Sequence, residues 1–232
     1  MGTVRRISVL AEDECGLVAR ELRSLRSRWC GRRPGLPFYT LGAAAYLDAR
    51  AGTAAYADRI ATDDPLLREH FGWVHERVRD VLSAHLGAPV RVAPEHAAPG
   101  FHLYLSHPLF ERPIAEVHFD RQQHRLDWGE TDVDFERPIS FTLPIALPRN
   151  GGGLHTWDVS YADMAPLDRN GRRERFRAAR RGYEPYRLGE MVVHSGHLLH
   201  QAAPGVQLAD GDERFTMQGH ALRRDGTWEL YW

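Results

Sequence analysis

The sequence predicts a mainly β protein with flanking helices, an α+β fold of the sandwich or barrel class. Beyond residue 90, short strand-like runs alternate with turn residues, which is typical of those classes. Before that point, apolar residues recur at helical spacing and indicate helices. A length of 232 residues fits one domain better than two. The architecture that fits these observations is a closed jelly roll.

Residues 1–90 are expected to be mainly helical. The clearest helix is predicted from about residue 64 to residue 86, where apolar side chains form one stripe. An aspartate at its start would cap this helix, and Pro65 would occupy the first position, where a missing backbone N–H is tolerated. Gly87 would end it. The apolar stripe is therefore expected to face the core.

The β part is predicted from runs rich in strand-forming residues. These runs are 90–93, 101–105, 114–119, 139–147, 154–157, 186–194 and 214–222. Pro144 lies inside one run and predicts a bulge, because proline cannot donate a ladder hydrogen bond. The three glycines at 151–153 are interpreted as a hairpin turn, since no Gly-Lys-Ser/Thr follows that would indicate a phosphate loop.

Composition argues against several classes of protein. The formal net charge is −1, so no overall field would attract nucleic acid or an anionic membrane. The two cysteines, Cys15 and Cys30, are too few for a disulfide framework or a zinc site, and reduced thiols are expected. No apolar run approaches the roughly 18 residues of a membrane-spanning helix, and the first residues lack the apolar segment of a signal peptide. A cytoplasmic location is expected.

The tripeptide His118-Phe119-Asp120 is the strongest candidate for chemistry. In a strand, residues i and i+2 share a face, so the two polar side chains can bind one ion. The best third ligand is His200, which follows a strand-like run and precedes a turn expected at Pro204-Gly205. Two histidines and one carboxylate leave three coordination positions open, the arrangement of non-haem Fe(II) oxygenases.

A second arrangement of histidines has to be weighed against this one. His194, His197 and His200 recur every third residue, which on a helix could indicate a zinc site. Ser195-Gly196 and the valine-rich run before them favour a strand and a turn. His194 and His197 are therefore predicted to support the structure or the metal ligands. A metal-binding jelly roll without catalytic activity stays an alternative.

Four stretches, taken in order, resemble the 2-oxoglutarate-dependent Fe(II) oxygenases, especially the branch of prolyl 4-hydroxylase and related small-molecule hydroxylases. They are 117–120, 137–147 with 151–157, 188–193 leading to His200, and 213–216. The resemblance covers about residues 100 to 222. It implies a double-stranded β-helix, or cupin-like jelly roll, with helices packed on the outside of its larger sheet. One oxygenase domain over 1–232 is expected, with a helical region at 1–90 and the β-helix core at 90–232.

The resemblance also implies roles for individual residues. His118, Asp120 and His200 would bind Fe(II), leaving sites for 2-oxoglutarate and O2. Arg214 would hold the distal carboxylate of 2-oxoglutarate in its planar fork, and Thr216 would add a hydroxyl donor. Further residues are expected to contact 2-oxoglutarate: His102, Tyr104 and Thr142. Others are expected to contact the substrate: Arg121, Trp128 and Arg137.

Two polar stretches interrupt the predicted strands. Residues 121–136 leave directly from Asp120 and are expected to form either a substrate lid or a plain solvent loop. Residues 168–187 contain eight Arg against three acidic residues. A solvated helix face is the favoured interpretation of that charge, with an anion-binding patch as the alternative.

The implied reaction is oxidative decarboxylation of 2-oxoglutarate to succinate and CO2, coupled to hydroxylation of an unactivated C–H bond. A small polar molecule is the expected substrate, such as an amino acid or an amino-acid-derived metabolite used in biosynthesis. Hydroxylation of a protein side chain is the alternative. Halogenating relatives carry Gly or Ala where this chain has Asp120, so hydroxylation, desaturation or cyclisation is expected instead of halogenation.

Overall fold

The computed structural model describes residues 4–50, 52–113, 115–129 and 132–232. The strands are β1 (Arg5–Ser8), β2 (Cys30–Arg33), β3 (Leu36–Leu41), β4 (Val90–Val92), β5 (Gly100–Leu105), β6 (Val133–Ala146), β7 (Gly151–Ser160), β8 (Arg181–Pro185), β9 (Glu190–Ser195), β10 (Leu198–Gly205), β11 (Glu213–Arg224) and β12 (Thr227–Tyr231). The α-helices are α1 (Glu12–Ser24), α2 (Ala45–Asp48), α3 (Ala54–Leu86), α4 (Tyr161–Met164) and α5 (Arg169–Ala178).

The strands form two sheets. The major sheet has the order β1-β9-β6-β11-β5-β3-β2, with β12 pairing to β11 and to β4. The minor sheet has the order β10-β7-β8. Every pair is antiparallel except β12 with β4. This is the predicted double-stranded β-helix, and no helix among the described residues is long and apolar enough to span a bilayer.

The outer face of the major sheet packs against the helices. Alternate residues of four strands face this way, because side chains along a strand point to opposite faces. They are Phe101, Leu103, Phe141, Leu143, Met191, Val193, Phe215 and Met217. Helix α3 covers them with its own buried stripe, Leu67, Phe71, Val74, Val78 and Leu82. The predicted role of this stripe in the core is confirmed.

The start of α3 differs from the prediction. The helix begins at Ala54 and places Pro65 in its interior. The two preceding aspartates, taken from the sequence as a cap, make tertiary contacts instead. Asp63 pairs with Arg59 at 2.5 Å, and the Asp64 carboxylate accepts the Ala98 N–H at 3.0 Å. The predicted end is confirmed, because Gly87 has a φ of +63° in the left-handed region.

Three short strands in the N-terminal region escaped the sequence prediction. Strand β1 pairs with β9 at one edge of the major sheet, and the β2-β3 hairpin extends the sheet beyond β5. The expectation of a mainly helical region is therefore wrong for these segments. The sequences of β1 and β2 carry arginines and no apolar run, because edge strands need little burial. Strand β3 lies between β5 and β2 and contains Pro37, a residue type that argues against a strand in a sequence.

Several boundaries in the β part also need correction. The predicted strand at 114–119 is reduced to one isolated bridge between His118 and His200, and Ile114 lies outside the described residues. The glycines at 151–153 begin β7, which belongs to a different sheet from β6, so they do not form a hairpin turn. Pro204-Gly205 is the end of β10 and not a turn.

The bulge predicted at Pro144 is confirmed. The pairing of β11 with β6 shifts register between Phe215 and Thr216, which lie opposite Ala146 and Pro144. The extra β6 residue between those two partners leaves the ladder locally interrupted.

Candidate metal and cosubstrate site

The structure brings together His118, Asp120 and His200, the three residues predicted to bind iron. One ligand atom from each lies within 4.8 Å of the others, and no other such group of three occurs among the described residues. His118 Nε2 is 3.5 Å from Asp120 Oδ1, and His200 Nε2 is 3.4 Å from Asp120 Oδ2. The Asp120 N–H donates to the Gly196 carbonyl at 2.8 Å, which fixes the backbone of the carboxylate ligand.

Both imidazoles are oriented by their own backbone. His118 Nδ1 lies 2.8 Å from the Glu116 carbonyl, and His200 Nδ1 lies 2.8 Å from the Leu198 carbonyl. A carbonyl can only accept, so each Nδ1 carries the hydrogen. Each Nε2 then presents its lone pair to the space beside Asp120, as in metal-bound histidines whose other nitrogen is held by a hydrogen bond. The donor set therefore fits a divalent metal.

The protonation states of His200 and Asp120 suit metal binding. Burial lowers the pKa of His200 to about 3, so this imidazole is neutral near pH 7. Burial opposes ionisation of Asp120, but the neighbouring imidazoles of His200, His220 and His118 outweigh it and hold the pKa of Asp120 well below its usual value. A neutral imidazole and an ionised carboxylate are the forms that a metal requires. At His118, burial opposes protonation, but the contact with Asp120 outweighs burial and raises the pKa, so a metal would displace a proton there.

A row of polar side chains crosses the inner face of the major sheet at the level of this cluster. Ser140 on β6 lies opposite His194 on β9 and opposite His220 on β11. The Ser140 hydroxyl donates to Asp120 Oδ2 at 2.6 Å, and the ring of His194 lies 4.6 Å from that of His200. No local sequence pattern predicts Ser140 or His220 at this site, because their contact with Asp120 arises only through the fold.

His197, by contrast, lies outside the cluster. Its ring is 5.3 Å from that of Tyr161. His194 and His197 thus differ in position although they are three residues apart, because the turn between β9 and β10 separates them. A zinc site on one helix face is ruled out for these residues, which lie in strand and turn.

The residues predicted to bind 2-oxoglutarate lie further along the same inner face. Arg214 pairs with Tyr104, and Thr216 pairs with His102, across β11 and β5. The guanidinium of Arg214 lies 4.2 Å from the Tyr104 ring centroid and donates to the Ala203 carbonyl at 2.9 Å. The fifth residue, Thr142, is buried on β6. The structure therefore places all five in one region, and their ligand roles stay a prediction.

Two tyrosines in this region were not foreseen. The Tyr46 hydroxyl is 2.9 Å from His102 Nε2. Tyr186 interacts with Thr142, and burial raises the pKa of its phenol. No motif around either tyrosine predicts this position. Tyr46, for example, is 56 residues from His102 in the sequence. Tyr104, Ala202, Ala203 and Arg214 share the lining of a small pocket here.

Of the residues predicted to contact substrate, Trp128 has a different environment. It is buried against Tyr231, with ring centroids 5.2 Å apart, and its indole N–H donates to the Gln123 carbonyl at 3.0 Å. Gln122 and Gln123 are buried too. These buried residues of the 121–136 stretch are packed in place, and 133–136 belong to β6, so these parts of the stretch do not form a polar lid.

The other two predicted substrate residues are exposed. Arg121 donates to the Tyr161 hydroxyl and lies 4.0 Å from the centroid of that ring. Arg137 pairs with Asp134 at 2.5 Å and has a side chain that is 73% exposed. Their contact with a substrate stays a prediction.

A cavity of about 630 Å³ is lined by β7 and by the turn between β9 and β10, and none of the three metal ligands is part of its lining. Thr156 lines it and is paired with His200, so the two side chains share a face. The turn that supplies Gly196, the acceptor for Asp120, contributes further lining. Charged and polar groups surround the space: Asp158, Ser160, Asp163, Arg180, Ser195 and His197. The arginine-rich stretch 168–187 supplies Arg180, and the rest of that stretch includes the exposed helix α5.

The comparisons with known proteins bear on the fold. An N-substituted L-amino acid dioxygenase from Burkholderia ambifaria AMMD, in complex with alpha-KG, superposes with a TM-score of 0.55 at 15% identity, over 98% of this chain and 85% of that one. The chain has the double-stranded β-helix fold of such enzymes. SnoN, a non-heme alpha ketoglutarate dependent epimerase from nogalamycin biosynthesis, gives a TM-score of 0.52 at 16% identity, over 95% of this chain and 80% of that one.

A Pseudomonas putida prolyl-4-hydroxylase aligns with a TM-score of 0.43 at 16% identity, over 96% of this chain and 93% of that one. No protein-family model and no curated protein sequence matches the chain. The structural likeness extends along nearly the whole chain at low identity, so what it shows is the fold.

Proposed function

We propose that this protein is a 2-oxoglutarate- and Fe(II)-dependent oxygenase that hydroxylates a C–H bond of a small polar molecule. The observation that carries the proposal is the cluster of His118, Asp120 and His200, whose two Nε2 lone pairs and one carboxylate converge inside the barrel. A facial set of this kind leaves three positions for a chelating cosubstrate and O2. When bound, iron with 2-oxoglutarate supplies the oxidising power for C–H cleavage.

The position of Arg214 supports 2-oxoglutarate as the cosubstrate. Its guanidinium bonds to the Ala203 carbonyl, three residues beyond His200 on β10. Three residues of a strand span about 10 Å. A five-carbon dicarboxylate bound to the metal at one end can reach across most of that distance. The planar fork of Arg214, which lies over the Tyr104 ring, then meets the distal carboxylate with N–H donors already oriented.

Apart from Arg214, the buried groups in this part of the barrel are uncharged. Burial lowers the pKa of His102 to about 3, so the imidazole carries no charge, and the Tyr46 hydroxyl bonds to its Nε2. Thr216 and Thr142 are both buried and offer hydroxyl donors. A carboxylate entering this region therefore finds Arg214 as the dominant charge, which strengthens the attraction because little water screens it.

The cavity lined by β7 supports the proposed substrate class. A volume of about 630 Å³ is within the range of small-molecule sites, which span roughly 300 to 1,000 Å³. Its lining combines two carboxylates, Asp158 and Asp163, with the guanidinium of Arg180. Groups of both signs suit a molecule that carries both an amine and a carboxylate. An amino acid or a derivative of one is the proposed substrate, and a cytoplasmic location is proposed with it.

The test is incubation of the metal-loaded protein with 2-oxoglutarate and a library of amino acids and their derivatives, with succinate and new products measured by mass spectrometry. We expect succinate formation to rise with one group of compounds and a mass gain of one oxygen in the product. Succinate absent under every condition would contradict an oxygenase and favour a metal-binding module. Oxidation only of added protein or peptide would instead favour a protein hydroxylase.

A further inference from the structure

We propose that Ser140 and His220 form a relay that positions Asp120 as a metal ligand. The inference rests on the metal site of the proposed function. Ser140 Oγ lies 2.6 Å from Asp120 Oδ2 and 3.0 Å from His220 Nδ1. Asp120, Ser140 and His220 are all buried residues, so bulk water competes little for these hydrogen bonds.

The direction of the relay follows from counting hydrogens. An ionised carboxylate only accepts, so the single hydroxyl hydrogen of Ser140 must point to Asp120 Oδ2. Ser140 then has only lone pairs to offer His220, and Nδ1 must carry the hydrogen. The reverse direction would leave two oxygen lone-pair regions facing each other at 2.6 Å. The order is therefore His220 Nδ1–H to Ser140, and Ser140 O–H to Asp120.

The relay acts on one oxygen of the carboxylate. Oδ2 accepts from Ser140 and faces His220 Nδ1 at 3.8 Å, whereas Oδ1 lies on the His118 side at 3.5 Å from Nε2. A strong donor on Oδ2 fixes the rotation of the carboxylate and leaves Oδ1 freer to bind a metal. Partners of this kind, which touch a ligand and not the metal, typically change metal affinity by about 10- to 100-fold when removed.

Strand pairing holds the relay in place from behind. Ser140 and His220 are directly opposite on β6 and β11, and His220 lies opposite Tyr231 on β12 with ring centroids 5.5 Å apart. Tyr231 is fully buried. Each member is thus set by the sheet ladder and not by a flexible loop. Ser140 and His220 are positioning residues, since they act on the metal through Asp120.

The test titrates metal-free protein with Co(II) alone and follows visible absorption, which reports affinity and ligand geometry without turnover. Ser140→Ala should raise the Kd for Co(II) by about 10- to 100-fold and alter the spectrum. His220→Leu should raise it less, by several-fold. His220→Asn should restore affinity, because an amide N–H can stand near the position of Nδ1. Ser83→Ala is the matched control, since it removes a hydroxyl bond to the Ala88 carbonyl at the end of α3.

The double variant Ser140→Ala with His220→Leu gives the decisive comparison. If His220 acts through Ser140, the double variant should bind Co(II) no more weakly than Ser140→Ala. An additive loss would overturn the relay, and so would a Ser140→Ala protein that folds and keeps the native Kd within twofold. Should Ser140→Ala fail to fold, the contrast between His220→Asn and His220→Leu decides the point. A native protein that binds no Co(II) would instead reject the metal site itself.

Discussion

The two faces of the major sheet are built from the same strands, but one face packs in the core and the other carries the candidate site. On β11, Phe215 and Met217 point outward into the core under α3, whereas Arg214, Thr216 and His220 point inward. The outer residues gain stability by burial, at about 25 cal/mol for each Å² of apolar surface removed from water. The inner residues are polar and buried, and they need partners to offset lost hydration. Neighbouring residues of one strand therefore contribute either to stability or to the candidate site, because they point to opposite faces.

The largest expected effect is on the inner face, at the metal ligands. His118→Ala, Asp120→Ala and His200→Ala should each abolish measurable Fe(II) binding, because each removes one corner of the facial set. Anaerobic titration of the metal-free protein measures this, with circular dichroism as the check on folding. His197→Ala is the control and should keep the metal, since its ring lies beside Tyr161. Loss of iron in that control with retention in His200→Ala would reverse the assignment.

The outer face should respond in the opposite way. Phe71→Ala removes a fully buried ring that lies 4.7 Å from Phe101, so unfolding free energy should fall by about 3 to 5 kcal/mol. Chemical denaturation measures the change. Protein that remains folded should bind Fe(II) with native affinity. A weakened metal site in folded Phe71→Ala would show that the two faces are coupled more tightly than their separation suggests.

A smaller effect is expected at the far end of the inner face. Arg214→Lys keeps the charge but loses the planar fork, so the KM for 2-oxoglutarate should rise about tenfold or more. Metal affinity should not change. Uncoupled succinate formation gives the KM, and an unchanged value would remove Arg214 from the cosubstrate site. Arg223 and Arg224 are poor substitutes, because the first is exposed and the second is paired with Glu229 at 2.8 Å.

The smallest expected effect is on stability at the edge of the core and depends on pH. Burial raises the pKa of Asp64 to about 6, above its ordinary value of 3.8. The folded protein therefore holds this proton more tightly than the unfolded chain, so stability falls as pH rises from about 4 to 6. Asp64→Asn should be more stable than the native protein at pH 7.5, by about 1 kcal/mol, and equal to it near pH 4. Thermal unfolding at both values tests this, and a difference that does not change with pH would contradict it.

The sequence predicted the candidate site correctly where the residues involved are close together in the chain. His118 and Asp120 are two residues apart, so their spacing predicted that they share a strand face, whereas Arg214 and Thr216 were predicted from the resemblance to the oxygenase family. Prediction failed where partners meet only through the fold. Ser140 and His220 are 80 residues apart, and nothing near either predicts the contact. The arginine-bearing edge strands and the early start of α3 were missed because strand pairing and tertiary packing, not local pattern, decide them.

The isolated bridge between His118 and His200 has a consequence for hydrogen exchange. The two ligands exchange both backbone bonds, His118 N–H to the His200 carbonyl at 2.9 Å and His200 N–H to the His118 carbonyl at 3.0 Å. The spacing of the two imidazoles is therefore set by main chain before any ion arrives. In deuterated buffer, the amides of His118 and Asp120, which donate to the carbonyls of His200 and Gly196, should be protected well beyond the other described amides of the 115–121 segment, even without metal. The barrel would then bind its ion with little reordering, and the affinity for different divalent ions would follow their intrinsic preference for nitrogen and oxygen ligands.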